Sequence, residues 1–108
     1  MDQQLNYTGI LTQIMRAEEQ FQPLNGPAIV SVCDAQTGQF LLVAVGWQKQ
    51  RHIDSILFHA RLLDGLVVIE TDNTEEGLKD SLIEAGIAAE HLLQGSDYQR
   101  PALARAAV

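Results

Sequence analysis

The residues of this sequence best able to do chemistry are three histidines and one cysteine, His52, His59, His91 and Cys33. His52 and His59 lie seven positions apart on one predicted strand, and an odd separation places two side chains on opposite faces. We therefore expect them to share no metal ion unless the strand bulges. His91 follows Ala-Ala-Glu and is expected to be a solvated surface residue. Cys33 stands among apolar strand residues and is expected to be a buried, unreactive thiol.

Motifs of familiar catalytic and cofactor sites are absent from the sequence. It contains no glycine-rich phosphate loop, nucleophile elbow, paired-cysteine zinc site or helical His-Glu-x-x-His. One enzyme alternative is a small hydrolase that uses His59 with a carboxylate such as Asp54, but their odd separation is expected to place them on different faces. The sequence therefore predicts no catalytic, cofactor or metal site, and a protein that is not an enzyme.

The charge of the chain argues against direct DNA binding. Its 108 residues carry 7 Lys and Arg against 14 Asp and Glu, a formal charge of −7. Residues 70–90 alone hold seven acids and one lysine. Because phosphate binding requires clustered positive charge, we expect no tight nucleic-acid binding by the free chain.

The length, with 46% apolar residues, predicts a single domain spanning residues 1–108. A lone cysteine, and the lack of a long apolar run or signal segment, predict a cytoplasmic protein without a membrane contact.

The first half of the chain reads as a helix followed by a β-hairpin. Residues 3–21 carry apolar side chains at three- and four-residue intervals, which predicts an amphipathic helix with Phe21 on its apolar face. Residues 28–33 and 39–48 are rich in apolar and β-branched types, and the turn-forming residues 34–38 separate them.

The second half predicts another hairpin and then helices. Strands are expected at residues 51–63 and 66–71, joined by Asp64-Gly65. A helix is expected at residues 74–85, ended by Gly86, with a short helical turn within residues 88–93. Residues 103–108 could form a final strand or a frayed helix. The result is an α+β domain: a four-stranded antiparallel meander sheet with an N-terminal helix and one long plus one short C-terminal helix packed on one face.

The second face of this sheet is the feature that points to function. The side chains on both faces of the second strand are apolar. Phe40, Leu42 and Ala44 lie on one face, and Leu41, Val43, Val45 and Trp47 lie on the other. Two helices cover one face, and monomers rarely expose large apolar patches. We therefore expect a homo- or hetero-oligomer through the second face. The alternative is that the helices and the C-terminal tail wrap both sides.

One small cluster could bind a partner on that face. Trp47 and Arg51 flank the turn into the third strand, and His59 shares the parity of Arg51. Trp and Arg are enriched in the energetic centres of protein interfaces. We assign Trp47, Arg51 and His59 as candidate partner-binding residues. The cluster could also meet an acidic surface or a single phosphate. The remaining alternative is that Trp47 belongs to the core and Arg51 is merely solvated.

An ordered set of short segments resembles the XisI family, small cyanobacterial proteins named as controlling factors for excision of the fdxN DNA element. The segments are Val45-Gly46-Trp47, Arg51, His59, Asp64-Gly65, Ile69, Asp72-Asn73-Thr74-Glu75, Leu82 and Gly86-Ile87. The chain departs from the family pattern at Val68, where an aromatic residue is common, and at residues 95–100. No binding role is therefore transferred to residues 96–108.

The resemblance implies a role in programmed DNA rearrangement. A separate recombinase would cut and rejoin the DNA, and the XisI-like protein would act as an accessory factor with a XisH-like companion. The sequence leaves a second possibility open, in which the acidic chain is an adaptor or an antitoxin-like neutraliser of a nuclease-like partner.

Overall fold

The computed structural model describes residues 3–98 and shows one five-stranded sheet with helices on one side. The sheet has the spatial order β1-β2-β3-β4-β5. The first four strands form an antiparallel meander, and β5 pairs parallel to β4. The elements in chain order are α1 (Gln3–Glu18), β1 (Ala28–Asp34), β2 (Gln39–Gln48), β3 (Arg51–Leu63), β4 (Leu66–Asp72), α2 (Lys79–Glu84) and β5 (Leu92–Gln94), with 3₁₀ turns at Ala89–His91 and Gly95–Asp97.

The α+β class, the N-terminal helix and the four-strand meander are confirmed, but the C-terminal prediction was wrong. One short C-terminal α-helix is present instead of a long and a short one. Residues 88–93 contain only a 3₁₀ turn before the chain extends into β5, which adds a fifth strand. Residues 103–108, predicted as a strand or a frayed helix, lie outside the described residues.

The predicted helix over residues 74–85 is shorter because Asp72 organises the segment before it as a loop. The Asp72 carboxylate accepts hydrogen bonds from the backbone N–H and the hydroxyl of Thr74, and from the N–H of Leu78 at 2.9 Å. Between them, Gly77 has a φ of +80°, which lies in the left-handed region that favours glycine. The acids at 75 and 76 therefore belong to this loop, and α2 begins at Lys79.

Helix α1 ends at Glu18, three residues earlier than predicted. The N–H groups of Gln20 and Phe21 bond back three residues, to Ala17 and Glu18, which tightens the last turn and ends the helix. Phe21, expected on the apolar face, is 70% exposed.

The hydrophobic core lies between the sheet and the two helices. Alternate residues of the strands point toward α1 and α2, and α1 supplies side chains one turn apart that fill the space above them. The largest fully buried members are Leu11, Met15, Phe40, Leu42, Phe58, Val67, Leu82 and Ile87. We call this side of the sheet the helix face. No helix within residues 3–98 is long and apolar enough to cross a membrane.

A β-bulge in β3 changes which residues face the helices. Leu42 pairs with Phe58 but Val43 pairs with Ile56, so Leu57 is an extra residue in the strand. Before the bulge the odd-numbered residues of β3 face the helices, and after it the even-numbered residues do. Simple alternation along the strand would place Ile56 on the same face as Phe58, but Ile56 lies on the other face and is 42% exposed.

The free edge of β1 is closed by side chains from the segment that follows α1. Gln22 donates to the Ile29 carbonyl and accepts from the Ile29 N–H, both at 2.8 Å. Glu19 accepts the N–H of Ser31 at 2.7 Å, and Arg16 donates to the Ser31 hydroxyl at 2.9 Å. Unpaired edge groups invite pairing with other chains. These contacts oppose extension of the sheet through β1.

The Glu19 contact should be visible in an acid titration. The Ser31 N–H stabilises the carboxylate, which lowers the pKa of Glu19 below its ordinary value of 4.5. The contact therefore contributes its full stabilisation above pH 4.5. This stabilisation is lost as the pH falls through the lower pKa that Glu19 has in the folded state. We expect the Ser31 amide proton in NMR spectra to shift with a midpoint below pH 4.5. The Ile29 amide, held by the neutral Gln22, is the control, and a Ser31 midpoint at or above 4.5 would contradict this contact.

Candidate partner-binding surface

The opposite side of the sheet exposes a continuous set of apolar side chains on β1, β2 and β3. Val30 and Val32 of β1, Val45 and Trp47 of β2, and Ile56 of β3 are between 38% and 61% exposed. The strand registers place all five on the side away from the helices. We call these five residues the outer face.

The part of the same side that lies over β4 is covered by the chain itself. Val68 points away from the helices yet is completely buried. The turn Gly95–Asp97 packs against β4, and a Cβ on Gly95 would collide with the Glu70 carboxylate. Tyr98 follows and donates its hydroxyl to Asp64 at 3.0 Å. The C-terminal segment thus covers this part of the sheet, as one sequence alternative expected, while the outer face is exposed.

Trp47 forms one end of the outer face, next to His52 of β3. Trp47 and His52 are directly paired across the β2–β3 hairpin, and their ring centroids lie 5.0 Å apart in a tilted arrangement. Trp47 is 61% exposed, so it is not a core residue. A large aromatic ring held by a neighbour but open to solvent is a suitable anchor for a protein interface.

Arg51 does not join Trp47, although the sequence grouped them. Arg51 pairs with Gln48 and Trp47 pairs with His52, so Arg51 lies on the helix face. The predicted shared parity of Arg51 and His59 was wrong because the bulge at Leu57 separates them. Arg51 instead lies beside the exposed turn formed by Lys49 and Gln50.

His59 lies on the same side of the sheet as Trp47, but far along the strand. It pairs with Leu41, which is six residues from Trp47, a separation of about 20 Å at 3.4 Å per residue. Its Nε2 is 2.7 Å from Oε1 of Gln39. The neighbouring Arg61 is already paired with Glu70, at 2.9 Å. Trp47, Arg51 and His59 are therefore three separate positions and not one cluster.

His59 should be mainly neutral at pH 7. Burial lowers its pKa below the ordinary value of 6.5, and the nearby Arg61 acts in the same direction while Glu70 opposes it. A lowered histidine pKa makes the folded state lose stability as the pH falls through 6.5, because the unfolded chain then binds the proton more readily. We expect an NMR titration of the His59 ring with a midpoint below 6.5 in the folded protein. A midpoint at or above 6.5 would show that Glu70 controls this ring.

The bulge in β3 overturns the expectation that His59 lies on the opposite face from His52 and Asp54. These side chains are nevertheless too far apart to form a shared site. His52, Asp54 and His59 all point to the side away from the helices. Asp54 pairs with Val45 and His59 with Leu41, about 14 Å apart along β2. Within residues 3–98, no group of three or more His, Cys, Asp or Glu could hold a metal ion.

The remaining histidine and the cysteine have structural surroundings. His91, expected to be solvated, is half-buried, and its Nδ1 lies 2.7 Å from the Tyr7 hydroxyl, which also accepts the N–H of Ala88. Tyr7 thereby ties α1 to the C-terminal segment. Cys33 is half-buried, and burial raises the pKa of its thiol. A raised pKa reduces the thiolate that reactions require.

Sequence reasoning missed three residues of the outer face, Val30, Val32 and Ile56. The first two alternate with Ser31 in β1, and that alternation indicated a face opposite to the serine. Ile56 could not be found in this way, because no residue type around Leu57 indicates a bulge.

The crystal structures that share this fold include two from one organism. The fdxN element excision controlling factor XisI from Anabaena variabilis ATCC 29413 superposes with a TM-score of 0.72 at 20% identity, covering 90% of this chain and 89% of the other. A XisI-like protein from the same organism gives a TM-score of 0.78 at 16% identity, with 88% of each chain covered. No curated protein matches the sequence. The family model "XisI protein" matches residues 1–105, so the chain belongs to the XisI family.

Proposed function

We propose that this chain is a non-enzymatic accessory factor for programmed excision of a DNA element, acting in the cytoplasm through contacts with a XisH-like companion and a separate recombinase. Family membership supports the process, because one structural relative is named as an excision controlling factor. The exposed outer face supports the mode of action and is the observation that carries the proposal.

The apolar residues of the outer face remain in contact with water in the free chain. Burying an exposed valine or isoleucine side chain against a partner would contribute about 25 cal/mol of stabilising free energy for every Å² of apolar surface removed from water. A contiguous apolar patch on a small protein is typically a site of interaction. The outer face is part of a rigid sheet, so a partner can bind it without first ordering it.

The charges support a protein partner over DNA. The chain has a formal charge of −7, and two of its arginines are engaged, Arg61 with Glu70 and Arg16 with Ser31. A DNA-binding surface needs several free cations in one stripe to displace counterions. Sub-micromolar affinity of the purified chain for duplex DNA at physiological salt would contradict this part of the proposal.

The test is co-expression with a XisH-like protein, followed by size-exclusion chromatography with light scattering. We expect one peak whose mass equals the sum of both proteins. Separate elution of each protein at its free mass would overturn the proposal. A mass corresponding to two copies of this chain alone would also overturn the proposed companion, in favour of a homodimer.

The second candidate, an acidic neutraliser of a nuclease-like partner, is favoured by the carboxylates around the start of α2, among them Glu75, Glu76 and Asp80. The salt dependence of the dissociation constant distinguishes the two candidate functions. An interface made by the outer face should change its dissociation constant less than about fivefold between 50 and 500 mM salt, because apolar burial is little screened. An interface made by the acidic side should weaken about 100-fold.

A further inference from the structure

A groove on the helix face, on the opposite side of the sheet from the outer face, combines an apolar lining with acidic side chains. A cavity of about 200 Å³ opens between the end of α1, β1–β3 and the loop after β4. Its lining is Glu18, Phe21, Ile29, Leu42, Leu57, Asn73, Thr74 and Glu75. A second depression of about 420 Å³ shares four of these residues and continues toward α2, past Glu76 and Ser81. We call the two together the Phe21 groove.

The floor and the rim of the Phe21 groove differ in character. The floor is aliphatic, formed by Ile29, Leu42 and the bulge residue Leu57. The rim carries Glu18, Glu75 and Glu76, and none of the lining residues in the described part of the chain is a cation. An engineered apolar cavity of about 150 Å³ holds a benzene molecule, so about 200 Å³ accommodates one large side chain.

Phe21 gives the groove an exposed aromatic side chain. Its ring lines both parts of the groove, yet 70% of the residue is exposed to solvent. Its backbone N–H bonds to Glu18 in the turn that closes α1, which fixes the position from which the ring extends. Aromatic side chains in such positions commonly act as interface anchors.

We propose that the Phe21 groove binds a peptide segment of a partner protein in which an aliphatic side chain is flanked by Arg or Lys. The aliphatic group enters the apolar floor beside Phe21, and the cations pair with the carboxylates of the rim. An acidic or purely apolar segment would leave those carboxylates repelled or partly desolvated without a partner. This contact is separate from the outer face and does not require the proposed role in excision.

The test is an NMR titration of the full chain with the peptide acetyl-Gly-Ser-Arg-Leu-Leu-Arg-Ser-Gly-amide. The charge-reversed peptide, with Glu in place of both Arg, is the control ligand. We expect the Arg peptide to shift the amide signals of Ile29, Glu75 and Ser81, and to bind at least about tenfold more tightly than the Glu peptide at 50 mM salt. Absence of shifts up to 2 mM peptide, about equal affinity of the two peptides, or shifts confined to the outer face would overturn the proposal.

Two variants in the same loop give a matched comparison. Phe21→Ala should weaken binding of the Arg peptide about tenfold, since it removes the apolar anchor. Leu24→Ala should leave binding unchanged, because Leu24 is 98% exposed and does not line the groove. Thermal unfolding of both variants checks that they fold. Equal losses in both would contradict a role for the groove. Shifts of these signals with protein concentration alone would identify a second copy as the occupant and overturn the proposal as well.

Discussion

Ile56→Lys should raise the dissociation constant of the complex with the XisH-like companion at least about 100-fold, which corresponds to about 2.7 kcal/mol. Ile56 lies among apolar neighbours on the outer face and pairs with Val43. In the free protein, 42% exposure lets the new ammonium group reach water. In the complex the charge would be buried without a partner, which costs several kcal/mol. The free energy of unfolding should change by no more than about 1 kcal/mol.

The control for this variant is Gln13→Lys, which adds the same charge at an exposed position of α1. It should leave the affinity within about twofold. Trp47→Ala tests the other end of the outer face and should weaken the complex at least about 30-fold, as loss of an aromatic anchor does. Isothermal titration calorimetry measures all three. Equal affinities for Ile56→Lys and Gln13→Lys would show that the partner binds elsewhere.

Asp72→Ala should lower the free energy of unfolding by about 3 kcal/mol and the melting temperature by about 10 to 20 °C. One carboxylate accepts the N–H groups of Thr74 and Leu78, at 3.1 and 2.9 Å, together with the Thr74 hydroxyl. Alanine leaves these donors without their charged acceptor, and the loop that leads into α2 loses its organisation. Bonds to charged groups contribute more than neutral ones.

Asp72→Asn separates the hydrogen bonds from the shape of the side chain. The amide keeps one acceptor oxygen but replaces the other with a donor, so we expect about half of the loss seen with alanine. Denaturant unfolding followed by circular dichroism gives both values. A free energy for Asp72→Ala within about 0.5 kcal/mol of the unchanged protein would mean that this loop is held by other contacts.

The strands could be predicted from the sequence because local signals agree with the tertiary structure there. Residues 39–48 and 51–63 match β2 and β3 at both ends, since turn residues flank uninterrupted apolar and β-branched runs. The bulge at Leu57 could not be predicted, because a bulge is decided by pairing with β2 and β4 and not by the type of the extra residue. This bulge explains every residue of β3 that was predicted on the wrong face of the sheet.

The C-terminal half was harder to predict because competing local signals are strong there. Asp72, Thr74 and the following glutamates are typical of a helix start, yet the carboxylate satisfies donors across a loop instead. β5 has only three residues and takes its stability from pairing with β4. No periodic pattern reveals so short a strand.

The candidate surface was predicted in outline and not in detail. An apolar second face was expected from the two parities of β2, and Trp47 and Val45 do lie exposed there. The grouping of Trp47, Arg51 and His59 was wrong in its geometry, since one bulge and about 20 Å of strand separate its members. Val68 is covered by the chain itself, through the turn that begins at Gly95. That position requires glycine because a Cβ there would collide with the Glu70 carboxylate.

The most direct test of this account is methyl cross-saturation NMR on the complex of the deuterated, methyl-protonated chain with its protonated XisH-like companion. Saturating the companion should reduce the methyl signals of Val30, Val32, Val45 and Ile56. The methyl signals of Ile14 and Ile83, which pack against the core on the helix face, should keep their intensity. Losses confined to the helix face, with the outer face unaffected, would contradict the claim that this chain works through the exposed side of its sheet.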